Sequence, residues 1–566
     1  LLRVIYTLLH LRLEQFYFLL IRRLIKPVVR EVHGQVAVNE NFKLDAPIQQ
    51  PIKHDQSYTF DFIGEKCVFE SGNIDWESLG KSMLWRFNQH YFDYLRNPLR
   101  DSAEKAEIIA SWISQCGVNN KIAWDPFTAS LRVVNWIFHA SDNCDVLSPG
   151  FVKSLYKQSL FIEKNDEREL LANHYFENLK ALFFAGVFFE GADAQRWRER
   201  AVKEIVRQLS EQTLSDGGHY ERSPQYHCLM LENYLDIYNL VSCNAYLFDV
   251  AFRSRIQVAA EQGLRWLEEI VFPDGQIPLL NDSAFGVAPT LKQLSSYAQR
   301  LFDFDSTQAP ASMLLDKPES GLYGIKANND MLIMDCGDIG PAYQPGHTHC
   351  DFLSYELMVN GQRIVVDTGV SEYAPGAQRH YLRSTAAHNT VSINGLEQSE
   401  IWGEFRVARR AKKLEAAIIK QGENISMSGA YAGFYDVALG LKPGYRHARK
   451  INVKLVKERI RSVAVVDTLF ANRDRPEAVS ASNYIHLHPD VKPVLAEDKS
   501  VMLFVDGECR AKLIVESLGS KTIKVELADS IYCPNFGVTI KNKCIRLDLS
   551  DALPIKMGYR FEFSEQ

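Results

Sequence analysis

Hydrophobic and polar positions follow two rhythms along this chain, and the change between them divides it. From about residue 76 to 310, apolar residues recur at i, i+3 and i+4, the spacing of helices that bury one face. That spacing predicts helices over Ala103–Cys116, Phe127–Ser141, Phe151–Glu163, Glu169–Phe189, Ala194–Glu211, Pro224–Val241 and Ala251–Val271. Asp125-Pro126 and Ser223-Pro224 mark two of the starts, with a capping side chain followed by a proline in the first turn. Seven or more such helices, joined through Asp-Gly turns at 216–217 and 274–275, predict pairs packed side by side as an α/α toroid.

Beyond about residue 311 the period falls to two. Met331–Cys336, Leu353–Val359, Arg363–Asp367, Thr390–Ile393, Ala416–Lys420, Ile451–Leu455, Arg459–Val466, Val501–Val505 and Thr522–Leu527 read as strands. No helical crossover separates them, so the sheets should be antiparallel and packed as a sandwich. The expected domains are therefore 1–75, 76–310 and 311–566. A small, polar stretch near 305–316 joins the last two, and a cleft is expected where they meet.

Residues 1–75 obey neither rhythm. Tyr58–Phe62 and Cys67–Phe69 are short β-like runs in an irregular leading segment. Before them, Leu1–Lys26 is apolar and basic, yet no uninterrupted run reaches the ~18 residues of a membrane-crossing helix. No small-residue cleavage site follows, so a signal peptide is not expected. The segment reads as an amphipathic helix that packs on the protein or touches a membrane surface weakly. The compartment, periplasmic or cytoplasmic, stays open.

Composition narrows the function classes. A chain of 566 residues with 46% hydrophobic and 24% charged residues is ordinary for a globular protein of more than one domain. The net charge of −6 gives a nucleic-acid partner no overall electrostatic support. Ten scattered cysteines with no C-x-x-C pair argue against a disulfide framework. Aromatic residues reach 11%, and Trp124 and Trp402 stand in polar-aromatic stretches suited to stacking on sugar rings.

The chemistry concentrates in a few stretches. Gly346-His347-Thr348-His349-Cys350-Asp351, followed by Asp367 and His388, gathers three imidazoles and two carboxylates in a region of predicted strands. On a strand, alternate residues share a face, and imidazole with carboxylate is a donor set suited to zinc. In the helical half, Asn173-His174-Tyr175 interrupts an apolar helix, where polar groups must be bonded or functional. Asp216 to His227 forms a glycine turn, a polar loop carrying Glu221 and a helix start presenting Tyr226 and His227. The positive end of that helix should favour ionised Tyr226. Asn281 and Asp282 lie in a tight loop suited equally to capping or to ligand contact, and Arg379 and Arg383 offer two guanidinium groups able to fork a carboxylate.

Together these stretches, with Trp85 to Leu95, Glu221 to His227 and Tyr381 to Thr390, resemble the heparinase II/III family of polysaccharide lyases. The resemblance spans most of residues 80–410 and is most specific over 346–410. It implies an α/α toroid followed by an antiparallel β-sandwich that cleaves uronic-acid polysaccharides by β-elimination. It places catalytic roles on Asn173, His174, Tyr226 and His347, and a zinc, expected to be structural, on His349, Asp367 and His388. Glu221, His227, Arg383, Trp124 and Trp402 are the expected substrate contacts. The stretches that carry the chemistry hold no runs of lysine and arginine suited to highly sulfated chains. The implied substrate is therefore an acidic polysaccharide of low sulfation, of capsule, exopolysaccharide or alginate-like type. Two other readings stay open: a glycoside hydrolase using Asp216, Glu221, Asp274 or Asp282, and a toroid that binds an acidic polysaccharide without cleaving it.

Overall fold

Among the described residues, eleven α-helices run between Leu2 and Phe302, and every strand but one short hairpin follows from Ser312 onward. A computed structural model describes residues 2–564 except 26–30, 51, 53–55, 306–311, 436–442, 473–477, 517 and 520. Lys26 and the middle of the expected linker thus lie outside the described residues. The architecture is an α/α toroid followed by antiparallel β-sheets.

Each helix predicted from periodicity is present, with ends displaced by a few residues. Ser102–Gln115, Pro126–Asp142, Pro149–Asn165, Ala172–Phe188, Ala192–Gln212, Pro224–Cys243 and Val250–Ile270 build the toroid. The caps explain the starts. Asp125 accepts from Thr128 N, and Ser223 Oγ accepts from Tyr226 N. The expected helices omit Met83–Tyr91 and Leu291–Phe302, although the second repeats apolar residues at Leu291, Leu294, Ala298 and Leu301 behind a Thr290–Gln293 capping box. The first is brief, and its one buried face carries Gln89 and His90 beside Trp85.

Three larger sheets complete the molecule, with eight, five and four strands, and within each of them neighbouring strands pair antiparallel. In the eight-stranded sheet, Tyr445–Val456 alternates between buried and more exposed positions, so one face meets solvent. The central strands of the five-stranded sheet are buried on both faces. Along its strand Asp330–Asp335, Met331 and Ile333 join the core of the toroid, while Leu332 and Met334 join the core of the sandwich. This sheet is the joint between the two halves. Its central strands read as unbroken apolar runs because neither face is wet.

The stretch from Gly346 to Asp351 departs from expectation. It is a loop, not a strand. The alternation argument for His347 and His349 therefore does not apply, although both side chains reach the same carboxylate.

Candidate active site

Four segments converge where toroid and sandwich meet. From the toroid come the first turn of Ala172–Phe188, the loop and first turn that open Pro224–Cys243, and the loop after Val250–Ile270. From the sandwich side comes the loop carrying His347. The backbone is strained beside three of the polar residues on the toroid side, Asn173, Glu221 and Asp282. Leu171 and Ala172 (φ 61° and 52°) precede Asn173, Arg222 (φ 60°) follows Glu221, and Asn281 (φ 55°) precedes Asp282. Positive φ at non-glycine residues costs about 1–3 kcal/mol each and persists only where surrounding contacts over-determine it. Here those contacts are visible: Asn281 Nδ2 donates to Arg222 O, its backbone N–H donates to Asp351 (3.1 Å), and its Oδ1 accepts from His349 N (3.0 Å).

Tyr226 and His347 face each other across the junction, with ring centroids 3.7 Å apart and planes 25° from parallel. Asn173 Nδ2 lies 3.4 Å from His347 Nε2 and donates to both oxygens of Glu221 (3.3 and 3.1 Å). His174 donates from Nδ1 to Glu167 (3.0 Å) and packs on Phe127. A phenol, two imidazoles and an amide thus meet within one site.

Asp282 is the hub of that site. Both its oxygens accept from the guanidinium of Arg379, Oδ2 also from His347 Nδ1 (3.0 Å), and Oδ1 from His349 Nε2 (2.8 Å). Burial works against its charge, yet Arg379 and the two imidazole hydrogen bonds hold its carboxyl well below the usual range. An ionised carboxylate only accepts, so the proton of neutral His347 sits on Nδ1 and Nε2 is left with its lone pair. Glu221 Oε2 lies 3.4 Å from that Nε2, placed to hold the imidazolium that forms once the lone pair takes a proton. Ser223 ties the hub to the helix start, since the hydroxyl that caps Tyr226 N also donates to Asp282 O (2.7 Å).

Electrostatics separate the candidate groups. Burial, then the neighbouring Tyr373, Asp282 and Glu221, push the Tyr226 phenol well above its ordinary range. The expected ionised tyrosine is therefore corrected: its surroundings are acidic and apolar, and the guanidinium of Arg383 is engaged elsewhere. For His174, burial opposes the charge, but Glu167, Asp125 and Glu221 outweigh it and raise the imidazole to about 9.

Several expected substrate contacts are placed elsewhere. Trp124 is core, donating to Cys116 O and packing on Phe161. His227 is buried against Trp266 and bonded to Gly263 O, and burial lowers it to about 4. Arg383, 1% exposed, spends its guanidinium on the carbonyls of Thr348, Gly403 and Arg406. Glu221 is buried and orients Asn173, where a second carboxylate would be repelled. Trp402 donates to Thr7 and lies under Arg406, against the N-terminal helix. Residue type singles out each of these side chains, and residue type does not reveal a partner.

One residue carries no mark in the sequence, and another is marked without its partner. Tyr373 places its hydroxyl 3.4 Å from that of Tyr226, from a loop with no pattern to distinguish it. Arg379 lies one helical turn before Arg383 in Ala377–Leu382 and its continuation, so the two differ only in what each touches.

Two imidazole nitrogens bear on the expected zinc. His349 Nδ1 and His388 Nε2 are buried without a hydrogen-bond partner, on rings 5.2 Å apart. Their other nitrogens are oriented by Asp282 and by Asp367, each at 2.8 Å. Carboxylates behind histidines are the usual support for metal ligands, so these two donors fit a cation. Asp367 stands behind His388 instead of beside it. Among the described residues no three His, Cys, Asp or Glu side chains converge as a metal would require.

Comparison with known proteins agrees with this layout. Residues 53–308 match the heparinase II/III N-terminus and residues 309–554 the heparinase II/III-like C-terminal domain. The chain belongs to the heparinase II/III family. It is 25% identical over 304 residues to a heparin-sulfate lyase of Pedobacter heparinus, covering 49% of this chain and 45% of that protein. It is 24% identical over 465 residues to FtsZ-localized protein C of Caulobacter vibrioides, covering 75% of this chain and 73% of that one. The chain thus spans about half the length of the curated lyases it matches. The crystal structure of heparinase III superposes with a TM-score of 0.64 at 16% identity, over 87% of this chain and 79% of that one, and supports the fold.

Proposed function

We propose that the chain is a polysaccharide lyase that cleaves a uronic-acid polysaccharide by β-elimination. The observation that carries this reading is the stacked pair of Tyr226 and His347 at the junction of toroid and sandwich, with Asn173 beside it. In such a reaction a base removes the C5 proton, the C4–O4 bond breaks, an acid protonates O4, and a 4,5 double bond remains on the new end.

The two rings divide this work. His347, with its Nδ1 proton fixed on Asp282, offers the Nε2 lone pair as base. Tyr226, held as a phenol, supplies the proton to O4. The developing charge on the uronate carboxylate needs positive or donor groups aimed at it. His174 has Nδ1 occupied by Glu167, so its imidazolium presents Nε2–H outward, with the ring about a third exposed (35%). Asn173 supplies an amide donor.

Charge supports a substrate of low sulfation. The carboxylates of Glu221, Asp282 and Glu167 line the site, and the guanidinium of Arg379 is spent on Asp282. A glycosaminoglycan or exopolysaccharide bearing carboxylates and few sulfates suits such a site. A zinc held by His349 and His388, with Asp367 orienting or completing the set, would anchor the loop that presents His347. Metal analysis of the purified protein, and a fall in melting temperature with chelator, test that part.

The activity is tested by incubating the protein with a panel of uronate polysaccharides and following the ultraviolet absorbance of a conjugated unsaturated uronate. Growth of that absorbance, lost in Tyr226→Phe, is the expected result. New reducing ends without absorbance would mean hydrolysis and overturn the reading.

A further inference from the structure

The first 25 residues carry amphipathic helices turned the wrong way round for packing. Helix α1 (Leu2–Leu8) has no buried residue, and in helix α2 (Leu13–Leu24) the buried residue is Gln15. Polar groups face the body. Arg3 pairs with Glu400 (2.9 Å), Arg12 with Glu211 and Arg22 with Glu169 (2.8 Å), while Gln15 donates to the carbonyls of Glu169 and Tyr343. The apolar side chains point outward: Leu13 is 88% exposed, Leu24 74% and Leu9 71%. Among the described residues twelve exposed large apolar side chains fall within residues 2–25, against nineteen over the rest of the chain. Scattered exposed leucines need no explanation, but a contiguous patch marks an interaction site.

Charge around the patch selects the partner. His10, between the two helices, lies in the field of Arg410 and Lys412, and exposed Arg406 covers Trp402, whose indole N–H donates to Thr7. Arg23 is exposed on α2, and Glu14 is the single acidic residue in 2–25. A second copy meeting this face through a two-fold axis would set the cationic collar against itself. An outward apolar face rimmed by cations and a tryptophan is instead the pattern of helices that lie in a lipid interface. α1 and α2, bent by 114° to one another, are neither long nor straight enough to be a single spanning helix.

We propose that α1 and α2 form a docking arm for an anionic lipid surface. The same arm bridges the halves of the molecule. Arg3 and Thr7 hold the sandwich side at Glu400 and Trp402, while Arg12 and Arg22 hold the toroid. Arg12 also lies over the ring of Tyr343, four residues before His347. A docked arm therefore holds the site's loop close to the lipid.

The test is co-sedimentation of the full chain with phosphatidylcholine vesicles, with and without phosphatidylglycerol, at low and high salt. Stronger partitioning into the mixed vesicles, weakened by salt, is expected. The triple variant Leu9→Gln, Leu13→Gln, Leu24→Gln should partition about tenfold less or worse. Its melting temperature should hold, because the three side chains are exposed. Equal binding to neutral and anionic vesicles, or binding that survives the triple variant, would overturn the proposal. So would a dimer, seen by light scattering, that the triple variant dissociates while vesicles bind neither protein. None of these readouts depends on polysaccharide cleavage.

Discussion

The toroid and the sandwich contribute to the same site by different physical means. Toroid residues are aimed by helix starts: a cap fixes Tyr226, and a strained pair, Leu171-Ala172, fixes Asn173. The sandwich residue His347 sits in a loop, and no regular element sets its ring. A buried charge cluster does so instead, with Asp282 reaching across from the toroid side and Arg379 holding it from behind. Backbone geometry is robust to a side-chain change, whereas a charge cluster fails when one member is lost.

The sharpest way to break this contrast is Asp282→Asn. An amide can donate to His347 Nδ1, so the proton would move to Nε2 and the base would be lost. Where a carboxylate orients a catalytic histidine, that exchange costs about 10⁴-fold in rate. It also strands Arg379 in the interior, a loss of about 3–5 kcal/mol of stability. Product formation and a denaturant melt read the two effects separately. A variant with normal turnover would show that Asp282 does not set the imidazole.

Tyr226→Phe comes next and touches the toroid half alone. Ser223 still caps the helix through the backbone N–H, and the ring can still stack on His347. The melt should hold while turnover falls about 10²–10⁴-fold, the usual worth of one acid–base group. Equal losses of stability and activity would place Tyr226 with the structural residues.

The same contrast explains what is legible in the sequence. Helices of the toroid announce themselves through period and caps, so the chain alone places Asn173 and Tyr226 on helices. Four strands of the eight-stranded sheet are legible for the same reason, since one face of Tyr445–Val456 is wet, whereas Asn424–Gly433, Lys492–Leu495, Glu508–Glu516 and Ile555–Phe563 are not among the expected strands. The Gly346–Asp351 loop imitates a strand because alternating polar residues in a loop mimic a half-buried edge. Arg379 and Arg383 read alike in the sequence, and His227 looks like a ligand contact. No local pattern tells which buried polar group finds a carbonyl and which a carboxylate. Tyr373 depends on a contact 147 residues away in sequence and leaves no signal.

A smaller effect concerns the charge on the toroid's rim. His174, at about 9, lies above the ordinary 6.5 for histidine, because Glu167 outweighs the cost of burial. A raised histidine contributes stability that is complete below about pH 6.5 and is lost as pH rises through about 9. The help proposed for it at the substrate carboxylate is lost over the same upper range. Turnover should therefore fall on an alkaline limb near pH 9. His174→Gln should lower the neutral rate about tenfold and erase that limb. A limb unchanged in the variant would assign it to another group.

The smallest expected effect tests whether the sandwich side supplies a second phenol to the chemistry. Tyr373 approaches Tyr226 hydroxyl to hydroxyl at 3.4 Å and packs against Phe405, Phe536 and Arg379. Its own phenol is pushed up, first by burial and then by Asp282, so it too stays protonated and can donate to Tyr226 when, in the proposed elimination, that residue gives its proton to O4. Tyr373→Phe keeps the packing and removes one neutral hydrogen bond, worth about 1 kcal/mol, which is about fivefold in rate. The loss should appear in kcat with KM nearly constant, because the bond strengthens only as Tyr226 becomes anionic. A change confined to KM would instead make Tyr373 part of the cleft wall, and the acid chemistry would then belong to the toroid alone.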